Sequence, residues 1–241
     1  MGAGEAGYPK ELIPQLAKKL EAETLASQAE ARAHDADAQK STAEAQKLAA
    51  EAAQCEINAR SMTRKEKDEL AGDKYHHLYV FNDPVFANSV SACVHQLTIW
   101  SRTEPLCDIE IVFNSPGGSV IDGMALFDFI QTLRRKGHKV TTGTMGMAAS
   151  MAGILLQAGD VRYIGSESYV LIHEISTGAI GKVGEIEDVV EFCKKIQKRV
   201  IDIFAKRSKK SAAYFEKHWR RKDWWLSSEE CIDIGIVDEV R

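Results

Sequence analysis

The chain has 241 residues and a formal net charge of −4 at pH 7, and hydrophobic residues make up 44% of it. This length supports one sizeable core with an accessory segment, and the hydrophobic content excludes a wholly disordered chain. The nearly balanced charge argues against nucleic-acid binding and against a polybasic membrane anchor. We expect no membrane association, since no apolar run approaches the roughly 20 residues that cross a bilayer. The first 16 residues lack the basic and apolar regions of a secretory signal.

The cysteines are scattered along the chain, without a CxxC pair or a Cys/His cluster of zinc-site spacing. An odd, scattered set is typical of reduced thiols, so we expect a reducing compartment such as the cytoplasm, with a pairing of two cysteines left open. Neither phosphate-loop pattern, GxGxxG or GxxxxGK[ST], occurs. We therefore expect no metal and no cofactor. The five residues are Cys55, Cys93, Cys107, Cys193 and Cys231.

The composition changes sharply near residue 73. Residues 12–70 are rich in Ala, Glu, Lys and Gln, which are strong helix formers, and Pro14 suits a first helical turn. Large apolar side chains are sparse, so such a helix cannot bury much surface alone. The pattern predicts one long helix, or two, that is either a solvated arm or an Ala-rich coiled coil. We assign residues 1–73 to this N-terminal arm.

The remainder of the chain, residues 74–241, alternates between strand and helix patterns. This alternation predicts an α/β domain with a parallel sheet and crossover helices. In chain order the predicted elements are a strand at 75–81, a helix at 84–102, a strand at 107–115, a helix at 119–137, a strand at 138–145, a helix at 148–159, strands at 160–165 and 168–173, a long helix at 183–210, and a closing helix and strand within 227–240.

Three places in this domain could carry chemistry. The first is NSPGGSV, residues 114–120, where a strand passes into a helix. Its glycines let a ligand approach bare backbone N–H groups, as in anion-binding turns. An ordinary strand-to-helix turn explains this stretch equally well when it is taken alone.

The second place is Ser150, in the small-residue run GMAASMAG. A serine at a helix start gains the partial positive charge of the helix N-terminus, and the backbone N–H of Met151 then points toward whatever the serine oxygen carries. Small neighbours leave room for an acyl group. The alternative is an N-cap serine worth about 1 kcal/mol to the helix. Taken alone, the serine favours that alternative.

The third place is His173, at the end of the apolar segment SYVLIH. A histidine there lies at the rim of a core, where a simple hydrogen-bonded role is the commoner one. A serine nucleophile needs such a base, and the base needs an acid to orient it. Asp223 is the best candidate, because the two tryptophans after it could shield it from water. The competing acids are Asp160, Asp188, Asp202, Asp233 and Asp238.

Four stretches, in this order, resemble the signature blocks of the ClpP family, the proteolytic subunits of Clp serine proteases on the crotonase-like fold. Together they extend the resemblance over about residues 78–241. One block alone would be modest evidence for the family. Four blocks that match in the same order make the resemblance specific. The blocks are NSPGGSVIDGMALFDFIQ, GTMGMAASMAGILLQAG, YVLIHEISTGAIGKVGEIEDVVEFCKKI and KDWWLSSEECIDIGIVDEV.

The resemblance implies a role for each matching residue. Ser150 matches the nucleophile, His173 the general base and Asp223 the acid, while Gly118 and Met151 match the backbone donors of the oxyanion hole. Protein or peptide substrate would lie extended along the residues that flank these positions, adding a strand. These flanking residues are Gly117, Ser119, Val120, Glu174 and Ile175. The segment 181–200 matches the handle region that stacks heptameric rings, which implies a homo-oligomeric ring or double ring.

Two departures from the family pattern affect the expected partners. Glu174 and Ile175 follow the histidine where family members usually carry Gln-Pro. The long arm replaces the short axial segment that contacts a hexameric unfoldase, which puts docking to a Clp ATPase in doubt. A ClpP-like protease with a helical extension resembles the head-maturation proteases of tailed bacteriophages. That resemblance would make capsid or scaffold proteins the partners, with the arm acting as a scaffold inside the host cytoplasm or procapsid.

The leading hypothesis is a serine endopeptidase that acts on unfolded or flexible protein, with the head-maturation role as its sharper form. Alternatives are an ATPase-partnered ClpP subunit for protein degradation and a catalytically silent ClpP-like scaffold. An acyl-CoA hydratase of the same broad fold commonly uses paired glutamates and does not require Ser, His and Asp at these places. An SppA-like Ser–Lys peptidase needs a catalytic lysine, and no lysine occupies the equivalent position in the matching blocks.

Overall fold

The described part of the N-terminal arm contains one long helix. In the computed structural model, which describes residues 12–241, helix α1 runs over Ile13–Leu70, a length of 58 residues. Its described side chains are exposed, and Lys19–Glu23 and Lys47–Glu51 form ion pairs four residues apart that support a solvated helix. The expected long helical arm is thereby confirmed. Among the described residues, no helix is both long and apolar enough to span a membrane.

The second unit, Leu70–Arg241, is built on a seven-stranded sheet. Strands β1 to β4 and β7 form its main path in the order β1-β2-β3-β4-β7, all parallel, while β5 branches from β3 and pairs antiparallel with β6. The strands are β1 Leu78–Phe81, β2 Ile109–Ser115, β3 Val140–Ala149, β4 Val161–Ile164, β5 Tyr169–Ile172, β6 Trp224–Leu226 and β7 Glu239–Val240. This confirms the predicted α/β class with a parallel sheet.

Helices connect these strands and pack against the sheet and against one another, and the short helix α4 is buried along its whole length. Helix α3 buries Leu126, Ile130 and Leu133 at helical spacing, and strand β2 contributes a nearly continuous buried run. The helices are α2 Ala87–Thr103, α3 Val120–Arg135, α4 Met151–Leu155, α5 Val183–Arg207, α6 Ala212–Trp219 and α7 Ser228–Ile234, and a 3₁₀ turn covers Leu156–Ala158.

An ion pair between the buried Arg162 and the partly exposed Asp238 joins the end of the chain to the sheet. Arg162 on β4 binds Asp238 through its guanidinium and through its backbone N–H, and it also donates to the carbonyl of Arg207 at the end of α5. Burial raises the pKa of the Asp238 carboxyl, but the hydrogen bonds and positive charge of Arg162 outweigh burial and hold that pKa below its usual value. This contact fixes β7 beside β4.

The structure differs from the sequence predictions around Ser150. Strand β3 continues through Ala149, and α4 is only five residues long, so the helix predicted for 148–159 begins three residues later than expected. The extension arises because Met147, Ala148 and Ala149 pair in parallel with β5. Helix α6, strand β6 and the antiparallel pairing of β6 with β5 were not predicted.

Strand β3 is divided between two neighbours. Its first half pairs with β4, its last three residues pair with β5, and Gly146 between them has a φ of +93°. That conformation suits glycine, and a Cβ at this position would lie 2.6 Å from the Asn114 side-chain oxygen. The bend directs the end of β3 toward the end of β5, and these two strand ends build the candidate site.

Candidate active site

The Pro116-Gly117-Gly118 turn lies against Val85 and leaves one backbone N–H unused. Val85 donates to the carbonyl of Gly117 at 2.8 Å and accepts from the N–H of Ser119 at 2.7 Å, in a parallel bridge centred on Gly118. The flanking residues make both bonds, so the Gly118 N–H points to the opposite side, away from Val85. Gly118 is therefore able to donate into the site.

Gly117 is packed too closely for any other residue. Its φ is +85°, and a Cβ there would lie 2.5 Å from the Ala149 carbonyl oxygen, 2.7 Å from the Ser150 Cβ and 2.8 Å from the Met151 nitrogen. The Ser115 hydroxyl holds the turn from behind by accepting from the Gly117 N–H and donating to the Asp83 carbonyl. The glycine turn is thus in direct contact with the backbone that carries Ser150.

Ser150 occupies a strained position between β3 and α4. Its φ of +55° and ψ of −119° are unusual for a residue with a side chain and cost about 1–3 kcal/mol. Ser150 stands at the N-cap position, but its side chain makes no capping hydrogen bond, unlike Ser119 and Ser227, which cap α3 and α7. The N-cap explanation therefore does not account for Ser150, whose hydroxyl remains available.

The N–H of Met151 provides a second donor beside Ser150. Met151 is the first residue of α4 and is fully buried, and the first N–H groups of a helix have no partner within it. Gly118 and Met151 thus present two backbone N–H groups near the serine. Two such donors form the arrangement that stabilises a developing oxyanion.

His173 follows the neighbouring strand β5. Ala149 pairs with Leu171, and the N–H of Ser150 donates to the Leu171 carbonyl at 2.9 Å, so Ser150 and His173 lie at adjacent carboxyl ends of parallel strands. Both residues line one cavity of about 140 Å³. The remainder of its wall is largely apolar and includes Ile154, Ile172, Val200, Phe204 and Trp219.

Asp223 directly precedes strand β6 and His173 directly follows strand β5, at the same end of the β5–β6 ladder. Ile172 and Trp224 form the last pair of the ladder, so one further step in the same antiparallel register would set His173 opposite Asp223. Directly opposed residues have Cβ atoms about 5 Å apart. Asp223 does not line the cavity itself, and in the described chain no hydrogen bond joins the three side chains. Catalytic hydrogen bonds are often long before substrate binds.

The expected shielding of Asp223 by the two tryptophans is wrong for the single chain. Asp223 is exposed, as is Trp225, because alternate residues of β6 point to opposite faces. Trp224 turns away to pack against the rings of Tyr214, Phe215 and His218.

Three of the competing acids are engaged elsewhere. Asp160 pairs with Arg134, Asp238 with Arg162 and Asp233 with Lys210. The remaining two, Asp188 and Asp202, lie on helix α5 and do not line the cavity. The register of the β5–β6 pairing therefore favours Asp223 as the acid beside His173. The spacing of the acids in the sequence did not distinguish them.

A second serine–histidine pair lies outside this site. The Ser101 hydroxyl is 2.8 Å from Nε2 of His138, whose Nδ1 is 3.0 Å from the Cys107 carbonyl. His138 is only 4% exposed and does not line the cavity beside Ser150, which fits a structural role. Within residues 12–241 no group of three or more side chains is arranged to hold a metal ion.

Sequence reasoning missed several residues that shape the site. Gln197 on α5 accepts from the N–H of Ile175 at 3.4 Å, and the N–H of Arg221 donates to a carboxylate oxygen of Glu174 at 3.0 Å. Trp219 closes the apolar cavity. The contacts of Trp219 and Arg221 depend on the unpredicted α6–β6 connection. Gln197 lies on a predicted helix, but the sequence pattern did not indicate which of its polar residues would contact Ile175.

Comparison with known proteins identifies the relatives of this unit. The sequence pattern of the family described as Clp protease matches residues 72–241. The ATP-dependent Clp protease proteolytic subunit of Bacteroides fragilis is 36% identical over 162 residues, covering 66% of this chain and 74% of the relative. The subunit of the same name from Bacteroides thetaiotaomicron is also 36% identical over 162 residues, with 70% of the relative covered.

Proposed function

Because the chain belongs to the Clp protease family, we propose that this protease is a serine endopeptidase that uses Ser150, His173 and Asp223. The observation that carries the proposal is Ser150 itself. Its strained backbone presents an uncapped hydroxyl in one cavity with His173, beside two unused backbone N–H groups. A structural serine requires none of these features.

In the proposed mechanism, His173 takes the proton of the Ser150 hydroxyl as the oxygen attacks a peptide carbonyl. The N–H groups of Gly118 and Met151 hold the resulting oxyanion, and such donors contribute about 10²–10³ in rate each. His173 then protonates the leaving amine, and water releases the acyl group by the reverse sequence of proton transfers. Asp223 orients the imidazole and stabilises its charged form.

Substrate is proposed to bind as an extended strand between two backbone segments. Gly117, Ser119 and Val120 flank it on one side, and Glu174 and Ile175 flank it on the other. Val120, Glu174 and Ile175 line the same cavity as Ser150. The apolar wall of that cavity suits an apolar side chain next to the cleaved bond, since its burial there contributes roughly 25 cal/mol per Å².

The exposed part of α5 supports the proposed assembly into a homo-oligomeric ring or double ring. This amphipathic helix leaves a row of large apolar side chains in water in the single chain, which marks an interaction surface. Val183, Val189, Val190 and Phe192 are exposed, and Ile186, Cys193 and Ile196 are half-buried.

Two forms of the proposal differ in the partner. The relatives are named as ATP-dependent, which fits a subunit fed by an unfoldase. The 58-residue exposed helix α1 favours the second form, an assembly role such as processing of phage capsid or scaffold proteins, with residues 1–73 as a scaffold-like arm and 74–241 as the protease domain. Degradation of casein with and without a Clp ATPase and ATP separates the two forms. A rate that rises only with the ATPase supports the first form.

The direct test of the activity is the Ser150→Ala variant with casein or an unstructured protein as substrate. We expect cleavage to fall at least about 10³-fold, to the residual level that an oxyanion hole alone supports. Ser101→Ala is the matched control, since Ser101 also contacts a histidine but lies outside the cavity. Undiminished cleavage by Ser150→Ala would overturn the proposal.

A further inference from the structure

The chain segment that leads into Asp223 contains a strained turn. Trp219 to Lys222 form a turn closed by the Lys222 N–H donating to the Trp219 carbonyl at 3.2 Å. Arg220 has φ −57° and ψ 114°, and Arg221 has φ +58°, which matches a type II turn. The second central position of such a turn favours glycine, so Arg221 occupies it at a cost.

A single side chain offsets that cost. The N–H of Arg221 donates to the carboxylate oxygen Oε2 of Glu174 at 3.0 Å, across 47 residues of sequence. A charged acceptor makes this hydrogen bond stronger than a neutral one would be. Glu174 thus holds Arg221 in the conformation that the turn requires.

The position of Glu174 ties this turn to the proposed catalytic groups. Glu174 directly follows His173, and Arg221 precedes Asp223 by two residues. The β5–β6 ladder ends at the Ile172–Trp224 pair, so the ladder itself does not fix His173 against Asp223. The Glu174–Arg221 bond is the next cross-strand contact beyond that end, and it closes the loop that contains both residues.

We infer that the Glu174 side chain is a positioning residue that sets Asp223 against His173 by holding the Arg221 turn. The inference rests on the proposed function for its catalytic consequence, while its structural part stands alone. The backbone of Glu174 still flanks the substrate, and its side chain is directed to Arg221 instead. The carboxylate therefore acts on catalysis through Asp223 rather than on substrate.

The test compares the steady-state kinetics and thermal melting of four variants. For Glu174→Ala we expect kcat for a peptide substrate to fall about tenfold while KM stays within about twofold, because Asp223 acts on the chemical step. Glu174→Gln keeps an oxygen acceptor, so it should lose only about threefold in kcat. Adding Arg221→Gly to Glu174→Ala should restore kcat to within about twofold of the wild-type value, since glycine needs no help to adopt the turn.

Glu230→Ala is the matched control. The Glu230 carboxylate accepts from the Ser227 N–H at 2.8 Å, the same kind of bond at the opposite end of β6. Its loss should lower the melting temperature and leave kcat within about twofold. A KM increase without a kcat decrease in Glu174→Ala, or failure of Arg221→Gly to restore kcat, would overturn the inference.

The melting measurements separate this inference from the proposed function. Arg221→Gly should recover most of the melting temperature lost in Glu174→Ala even if the protein has no peptidase activity. Undiminished cleavage by Ser150→Ala would contradict the proposed function. It would not affect the recovery of melting temperature by Arg221→Gly. Conversely, if Ser150→Ala abolishes cleavage and Glu174→Ala leaves kcat at the wild-type value, only the inference about Glu174 is overturned.

Discussion

Replacing Gly117 by alanine tests whether the glycine turn supports the Ser150 backbone. The new Cβ would lie 2.5–2.8 Å from the Ala149 carbonyl, the Ser150 Cβ and the Met151 nitrogen, distances that real Cβ atoms essentially never show. Two of these atoms belong to the backbone and the third is a Cβ, so none can rotate away. The clash must therefore move either the turn or the serine.

The magnitude follows from two costs. A non-glycine residue at a φ of +85° costs about 1–2 kcal/mol, and overpacking in a tight site typically adds about 1–3 kcal/mol. The free energy of unfolding should thus fall by at least about 2 kcal/mol, or at least about 4 °C in melting temperature for a domain of this size. A shift of about 1 Å in Ser150 or Met151 would lower the rate about 100-fold.

Thermal melting and peptide hydrolysis measure the two effects on the same samples. Gly184→Ala is the matched control, because no atom lies within 4 Å of a Cβ at that position in α5. Alanine there should stabilise the helix by up to about 1 kcal/mol and leave the rate unchanged. Wild-type stability and wild-type rate in Gly117→Ala would refute the argument that this turn fixes the nucleophile.

Three further predictions concern an acid, an ion pair and a surface. Asp223→Asn should lower kcat by about 10²–10⁴-fold with the fold retained, whereas Asp202→Asn should leave kcat unchanged. A wild-type kcat in Asp223→Asn would mean that another acid orients His173. Because the folded-state pKa of Asp238 is depressed, its pairing with Arg162 stabilises the fold above about pH 4 and this contribution is lost as the pH falls through that pKa. Asp238→Asn should lower the melting temperature at pH 7 and flatten its decline below pH 4; an unchanged decline would contradict this. Phe192→Asp should reduce the particle mass measured by light scattering without changing the secondary structure, and an unaltered mass would exclude this face from assembly.

The parts of the fold that were predictable have strong periodic patterns. Helix α1 could be predicted because its residues are helix formers over nearly 60 positions. Helix α3 and strand β2 could be predicted because their apolar residues repeat with a helical period or form a buried run. The two glycines at 117–118 likewise indicated a close approach to the backbone.

The parts that could not be predicted depend on distant pairing. MGMAA at residues 145–149 is composed of residues with low strand propensity, and it is a strand because β5 lies beside it. Strand β6 is three residues long, and among the described strands it pairs with β5 alone. The turn before it places Arg221 where glycine is expected. The hydrogen bond from the Arg221 N–H to Glu174, which offsets the cost of that conformation, joins residues 47 positions apart.

The central claim, that Ser150 is an activated nucleophile, is tested most directly by labelling with a fluorophosphonate probe followed by peptide mass mapping. We expect a single modified site at Ser150, loss of that label in Ser150→Ala, and slower labelling in Gly117→Ala. Parallel light scattering would report whether the labelled particle contains many subunits. A well-assembled protein that cleaves casein yet carries no label on Ser150 would contradict the account.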